Sequence, residues 1–135
     1  MYTLQGTAKN PVQIEMENNI RRCFVADGAL AKGTLVKLQS DGTVVACTAA
    51  TDFPTGHVLV PAADEAEVTV SLAARAIVIG VADGSVTCGN LVACDATGYK
   101  AWVAGNTAVG IALNTAADAA ELEVALLYNP VVSKA

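Results

Sequence analysis

Two glycine pairs have the spacing of a phosphate-binding loop. They are Gly28 with Gly33, and Gly84 with Gly89, each separated by four residues. In a nucleoside-triphosphate site the second glycine is followed by a lysine that reaches the phosphates. Here a threonine and an asparagine follow instead. We therefore interpret these glycines as turn residues beside strands, and we predict no nucleotide cofactor.

His57 is the only histidine of the chain. A general base needs a nucleophile or a substrate proton within reach, and no serine or cysteine lies in a recognisable nucleophile motif. A single histidine within an apolar alternation is more often a packed side chain. We predict no catalytic residue and no enzymatic activity.

Four aspartates could act as paired carboxylates. Asp27 and Asp83 each precede a glycine, whereas Asp64 and Asp118 lie in alanine-rich stretches. Aspartate before glycine is also what a turn requires, because its carboxylate bonds the local backbone. A calcium site needs several oxygen ligands in a short loop, and the segment from Asp64 to Glu67 supplies two. We predict no metal site and no cofactor.

The composition indicates a folded domain with an unusually apolar surface. Of 135 residues, 53% are hydrophobic and 16% charged, which is unlike a disordered chain and sufficient for one domain with its own core. So few charges leave apolar area at the surface, as in proteins that bind partners. The net charge is −5 and the basic residues are scattered, so we predict no nucleic-acid binding.

No segment has the pattern of a membrane span or of a secretion signal. The most apolar run covers residues 76–82, far short of the roughly 20 residues of a transmembrane helix. The N-terminal residues lack a basic region followed by an apolar one. We expect synthesis in the cytoplasm and no membrane contact.

The chain contains an internal repeat of about 55 residues. The sequence Val-Ala-Asp-Gly at 25–28 recurs at 81–84, a shift of 56 residues. Further on, the segment 56–72 matches 110–126 at a shift of 54 residues. We predict repeat 1 over about 23–72 and repeat 2 over about 79–127, both within a β domain spanning 23–135 that ends in a tail at 128–135.

The repeat also bears on the four cysteines, which form no CxxC pair and no zinc set. It places Cys23, Cys47 and Cys94 opposite Ile79, Val103 and Leu38. Because free cysteine often replaces an aliphatic residue in a core, we predict that these three thiols are buried and inert. We expect Cys88, beside a turn, to be the exposed one.

Short strands separated by turns are predicted in both repeats. Asp-Gly and Thr-Gly turns separate β-branched runs, and segments 67–72 and 121–126 alternate apolar and polar residues as half-buried strands do. The run 76–81 is apolar on both faces, which favours a central strand. Alanine-rich stretches at 71–76 and 115–122 could form short helical turns. We predict a single-domain all-β sandwich or small barrel of roughly eight to ten strands.

Residues 1–22 precede the repeats and form a predicted N-terminal arm. Val12, Ile14 and Met16 alternate with polar residues, which indicates one strand at about 11–17. The arm is either a disordered or edge-strand terminus, or a segment that becomes ordered on a neighbouring subunit. Arg21 and Arg22 are either a solvated pair or a docking point for acidic groups. These five residues are the candidate interface.

The residues 25–127 resemble one family. The runs VADGALAKGTLVKLQSDGTVVA, TGHVL and EVTVSL, with VADGSVTCGNLVACDATGYKAW, VGIAL and ELEVALL in the second repeat, are similar to the capsid cement or head-decoration proteins of tailed bacteriophages. The resemblance implies a β-rich protein, a dimer or trimer, that binds the outer surface of an assembled head over junctions between major capsid protein subunits. It implies synthesis in the host cytoplasm and a location in the virion.

The sequence leaves one alternative function, a β-barrel module that binds a ligand or glycan on a particle surface. Such modules use clustered aromatic side chains, and aromatic residues make up 4% of this chain. Tyr99 and Trp102 form the one aromatic cluster, and a core pair explains them equally well.

Overall fold

The computed structural model describes residues 20–72 and 76–132, and for 128–132 it describes the backbone only. The described part is all-β, as predicted, with ten strands and no helix. The strands are β1 (Arg21–Ala26), β2 (Leu35–Leu38), β3 (Thr43–Ala46), β4 (Gly56–Val60), β5 (Glu67–Ser71), β6 (Ile77–Val81), β7 (Leu91–Cys94), β8 (Tyr99–Ala101), β9 (Thr107–Ala112) and β10 (Glu121–Val132).

The first five strands form a closed barrel in the order β1-β3-β2-β4-β5. All neighbours are antiparallel except β1 and β3, whose parallel pairing is limited to Val25 with Thr43 and Ala26 with Val44. Five residue pairs join β1 to β5 and complete the cylinder. We call this barrel the first unit.

The other five strands form a sheet in the order β6-β10-β9-β7-β8, which we call the second unit. A single parallel bridge between Ala82 and Tyr99 connects its two ends. The cyclic order is the same as in the first unit when β6 to β10 are matched with β1 to β5 in sequence. The two units therefore share one topology.

Matched turns are held by matched hydrogen bonds. Gly28 and Gly84 have positive φ angles of 94° and 79°, which glycine adopts without the cost that a Cβ adds. The amide of Gly28 donates to Asp64 Oδ1, and the amide of Gly84 donates to Asp118 Oδ1, both at 2.8 Å. The four aspartate and glycine residues thus fix the loops that enter each unit.

Each unit has its own core, and the two units are in contact. The first core contains Val36, Val44, Val58, Val68 and Val70. The core of the second unit also includes Leu35 and Cys47, although these belong to the first unit. Both of their side chains are therefore buried by the second unit.

Several strand predictions are confirmed and others are wrong. Val68 and Val70, with Leu122 and Val124, point into the cores as the alternation predicted. The prediction of a central strand at 76–81 is wrong, because β6 lies at an end of its sheet with Ile77 and Ile79 about 65% exposed. In place of the predicted helical turn, residues 115–120 form a bridge and a turn, and residues 121–122 begin β10. The other predicted helical turn, at 71–76, lies partly outside the described residues. Strand β9 was not identified in the sequence.

Candidate interaction surface

Three of the five candidate interface residues, Val12, Ile14 and Met16, lie outside the described residues. Arg21 and Arg22 open β1 and are both exposed. Successive strand residues point to opposite faces, so the two guanidinium groups do not form one joint site. The guanidinium of Arg22 lies 5.1 Å from the ring centre of Phe24, a cation–π contact.

A row of buried side chains crosses the first unit on the side where Leu35 and Cys47 pack against the second unit. The row crosses β2, β4 and β5, because Leu35 pairs with His57 and His57 pairs with Ser71. Cys47 continues it, since its amide donates to the carbonyl of Leu35 at 2.9 Å. All four residues are buried, and we call them the covered face.

In the matched row of the second unit one residue is exposed and the other three are half-buried. Leu91 pairs with Ile111, and Ile111 pairs with Ala125. Trp102 continues the row through its amide, which donates to the carbonyl of Leu91 at 3.0 Å. We call these four residues the open face. Every one of them is apolar, whereas the covered face includes a histidine and a serine.

One pair of leucines shows the difference most directly. Leu35 on the covered face is 4% exposed, whereas its match Leu91 on the open face is 37% exposed. Ile77, which pairs with Ala125, continues this row as far as the cavity between the units, whose wall it lines. An apolar row of this length across four strands is typical of a surface that a partner covers.

The charges beside the open face are acidic. Glu121 and Glu123 are exposed on β10, opposite Val81 and Ile79 of β6. The backbone nearby is fixed by Asn114, whose side chain accepts from the amide of Glu123 at 2.7 Å and donates to the carbonyl of Glu121 at 3.2 Å. The surface therefore has a fixed backbone, an apolar row formed by the open face, and negative charges beside that row at Glu121 and Glu123.

His57 is packed between the two units. Its side chain is 6% exposed and lines a cavity of about 360 Å³ whose opposite wall is formed by residues 76–79. Nδ1 is buried and has no hydrogen-bond partner. Burial disfavours the charged imidazolium and lowers the pKa of His57. The residue is an internal side chain of the unit contact, and among the described residues no hydroxyl or thiol nucleophile is bonded to it.

The cysteine predictions are partly wrong. Cys88 is exposed and Cys47 and Cys94 are buried, as predicted, but Cys23 is exposed. Cys23 was assigned to the core because its match Ile79 is aliphatic, yet Ile79 itself points outward. The pairing of the strands also matches Cys47 with Trp102, one residue before the Val103 that the sequence suggested.

Cys47 and Cys94 come from different units and meet at the contact. Both belong to one core cluster, and both line a cavity of about 340 Å³ between the units. A hydrogen bond with the Cys94 thiol, together with burial, raises the pKa of Cys47 far above the usual thiol range. The Cys47 thiol is therefore held in the unreactive protonated form. Their proximity could not be predicted from the residues alone, because the two cysteines lie in different repeats.

The residues with phosphate-like or metal-like spacing have structural functions. The amides of Gly28 and Gly84 donate hydrogen bonds to the carboxylates of Asp64 and Asp118. The amides of Gly33 and Gly89 donate to the backbone carbonyls of Val58 and Ala112. In the described ranges, no three histidine, cysteine or acidic side chains are grouped to hold a metal ion. Those ranges also include no helix long and apolar enough to cross a membrane.

The exposed carboxyl of Asp83 and the half-buried carboxyl of Asp95 interact. A hydrogen bond with Asp95 raises the pKa of Asp83. Burial acts to raise the pKa of Asp95, but hydrogen bonds from Thr97 and Asp83 outweigh it and lower the value. The pair therefore shares a proton more readily than isolated carboxyls do.

No protein family model matches the sequence, and no curated protein matches it. Among solved structures, the chain is similar to the N base of the head fibre protein gp8.5 of bacteriophage phi29, known from a crystal structure. The TM-score is 0.62 at 11% identity, over 83% of this chain and 97% of that one. The similarity shows a shared fold. That protein is a component of a phage head, the class of particle to which the sequence resemblance pointed.

Proposed function

We propose that this chain is a structural protein of a tailed-phage virion. In this proposal it binds the outer surface of the assembled head and stabilises contacts between major capsid protein subunits. The observation that carries the proposal is the fold shared with almost the whole base of a phage head fibre. The sequence resemblance to cement and decoration proteins supports it independently.

The physical properties of the chain suit such a function. A surface protein of a shell gains attachment from many equivalent sites, so each contact can be modest. Two rigid β units, a low proportion of charged residues and an exposed apolar row provide contact area without a reactive centre. The proposal accordingly contains no catalytic step, no cofactor and no nucleic acid.

We assign the contact with the major capsid protein to the N-terminal residues. Val12, Ile14 and Met16 supply apolar side chains, and Arg21 and Arg22 would meet acidic groups of the capsid. Since β1 begins at Arg21 and the carbonyl of Ile20 accepts from the amide of Leu72, a deletion that spares the barrel must end at residue 19.

Co-sedimentation with purified heads that lack this protein tests the proposal. We expect the full chain to saturate the heads at a fixed ratio, and a chain lacking residues 1–19 to bind at least about tenfold more weakly, equivalent to about 1.4 kcal/mol. Far-UV circular dichroism of the truncated chain should keep its β spectrum. Equal binding by both chains would remove the N-terminal contact from the proposal.

A charge reversal at the start of β1 tests whether the arginine pair binds acidic groups of the capsid or is only solvated. The Arg22→Glu variant is expected to weaken attachment, whereas Lys32→Glu, a matched reversal at another exposed position, should not. If no variant and no salt concentration affects retention, and the free protein instead binds a glycan stoichiometrically, the ligand-binding alternative replaces this proposal.

We also propose that the two units arose by duplication of a segment of about 55 residues. Their common cyclic strand order and the paired Gly28–Asp64 and Gly84–Asp118 hydrogen bonds support it. Duplication followed by divergence would explain why matched faces now differ in composition. One face was adapted to an internal contact, and the other stayed apolar and external.

A further inference from the structure

Strand β6 has one paired edge and one unpaired edge. The amide of Leu126 on β10 donates to the carbonyl of Ala76, just before β6 begins. Hydrogen-bonded positions alternate in antiparallel pairs, so Val78 also bonds β10, whereas Ile77 and Ile79 direct their amides and carbonyls away from it. Among the described residues, no other strand pairs with these two isoleucines. We call their backbone the unpaired edge.

The unpaired edge borders the two cavities between the units. Residues 76–79 line one cavity and residues 79–81 line the other, and Lys32 lines both. We call the two cavities together the groove. Successive side chains of a strand point to opposite faces, so an unbroken run of lining residues indicates that the edge itself borders the groove. The side chains of Ile77 and Ile79 are 65% and 64% exposed, and an added strand would cover them together with the unpaired backbone.

One buried polar atom belongs to the wall of the groove. His57 lines it and is 6% exposed, and its Nδ1 has no hydrogen-bond partner. Buried polar atoms in native proteins are nearly always hydrogen-bonded, so an unpartnered one indicates a place where a further polar group binds. A strand in the groove carries backbone amides and carbonyls that can bond this nitrogen.

The N-terminal arm begins beside the groove. The carbonyl of Ile20, the first described residue, accepts from the amide of Leu72, five residues before β6 begins. In the barrel, Arg21 pairs with Ser71, and Ser71 pairs with His57. Adjacent strands lie about 4.8 Å apart, so the backbone of Arg21 lies roughly 10 Å from that of His57. The chain before Ile20 therefore starts within reach of the groove.

We propose that residues 11–17 bind the unpaired edge of the same chain as an added strand. Their alternation of apolar and polar residues predicts a strand, and seven strand residues span about 23 Å, enough to follow the five residues of β6. The apolar members, Val12, Ile14 and Met16, cover the exposed isoleucines of β6. A chain that leaves Ile20 passes the start of β6 first and its end last, so the added strand is antiparallel.

The added strand is an autoinhibitory contact. The three apolar side chains that pack on β6 are those assigned above to the capsid contact, so the arm must leave β6 before it binds a head. This inference goes beyond the proposed attachment and does not depend on it. It is tested on the free protein, without capsids.

Amide hydrogen exchange of the isotope-labelled full chain, followed by NMR, tests the proposal. The amides of Ile77 and Ile79 should exchange at least about tenfold more slowly in the unaltered chain than in the Ile14→Asp chain, because the variant places a charge on the packed face of the added strand. Gln13→Asp is the matched control, since it adds the same charge on the opposite face, and it should keep the slow exchange. The amide of Val78, bonded to β10, reports folding and should exchange alike in all three chains.

Dilution separates docking within one chain from an exchange of strands between copies. Exchange rates that stay constant over a wide range of concentrations support the proposal. Fast exchange of both isoleucine amides in the unaltered chain, slow exchange that Ile14→Asp leaves unchanged, or protection that is lost on dilution would each overturn it. None of these results bears on attachment to heads, which co-sedimentation measures.

Discussion

Replacing Gly56 with alanine should destabilise the first unit strongly. Gly56 begins β4, directly beside β5. A Cβ built on Gly56 would lie 2.0 Å from the carbonyl oxygen of Ser71 and 2.9 Å from Cγ1 of Val70. The oxygen belongs to the backbone of β5, so no side-chain rotation relieves the contact.

The cost can be worked from this geometry. The carbonyl must move by more than about 1 Å to reach normal van der Waals distance, which separates β4 from β5 where His57 pairs with Ser71. Losing one or two backbone hydrogen bonds costs about 1 kcal/mol each, and overpacking adds about 1 to 3 kcal/mol. We expect the free energy of unfolding to fall by about 3 to 4 kcal/mol.

Gly42→Ala is the matched control. Gly42 has a φ of 89°, and a Cβ there meets no atom within 4 Å, so the loss should be limited to about 1 to 2 kcal/mol of backbone strain. Urea denaturation followed by fluorescence of Trp102, the single tryptophan, and by far-UV circular dichroism gives both values. If Gly56→Ala costs no more than Gly42→Ala, the steric reasoning is refuted.

Three further predictions concern titration, thiol reactivity and an ion pair. Burial lowers the pKa of His57, so the free energy of unfolding should be highest above the unfolded pKa of about 6.5 and should fall as the pH drops through the folded pKa. His57→Ile should flatten this fall when urea midpoints are measured against pH. Parallel profiles of the two proteins would contradict the prediction. The two exposed cysteines should react with maleimide in the native protein and the two buried ones only in urea, as intact mass would show; four equal rates would refute the burial argument. Asp52 accepts hydrogen bonds from Lys37 Nζ at 2.8 Å and from two backbone amides. Asp52→Ala should therefore lower the free energy of unfolding by about 2 kcal/mol, measured by urea denaturation. A decrease below about 0.5 kcal/mol would show that these bonds add little to stability.

Most of the fold could be predicted from local patterns. The alternation at Val68 and Val70 identified a half-buried strand correctly, since one face of that strand meets the core and the other meets solvent. The same reasoning failed at β6. A run that is apolar on both faces indicates burial only when both faces are covered, and here Ile77 and Ile79 are left exposed by the packing of the units.

The candidate surface could not be predicted, because the deciding information is not local. Leu35 and Leu91 are the same residue at matched positions, and one is buried while the other is exposed. What separates them is the placement of an entire unit against Leu35. The burial of Cys23 was predicted wrongly for the same reason. Its match, Ile79, is aliphatic, but aliphatic residues of this chain occur at the surface as well as in the core.

The way the first barrel closes determines how it would respond to force. Tension applied through the residues before Arg21 would enter at β1, which five backbone pairs hold to β5 and two hold to β3. The short parallel junction is the line of least resistance, so β1 would separate from β3 first while the β1–β5 and β4–β5 pairs still held. On a particle surface, such a barrel would yield at one line before its remaining strands came apart.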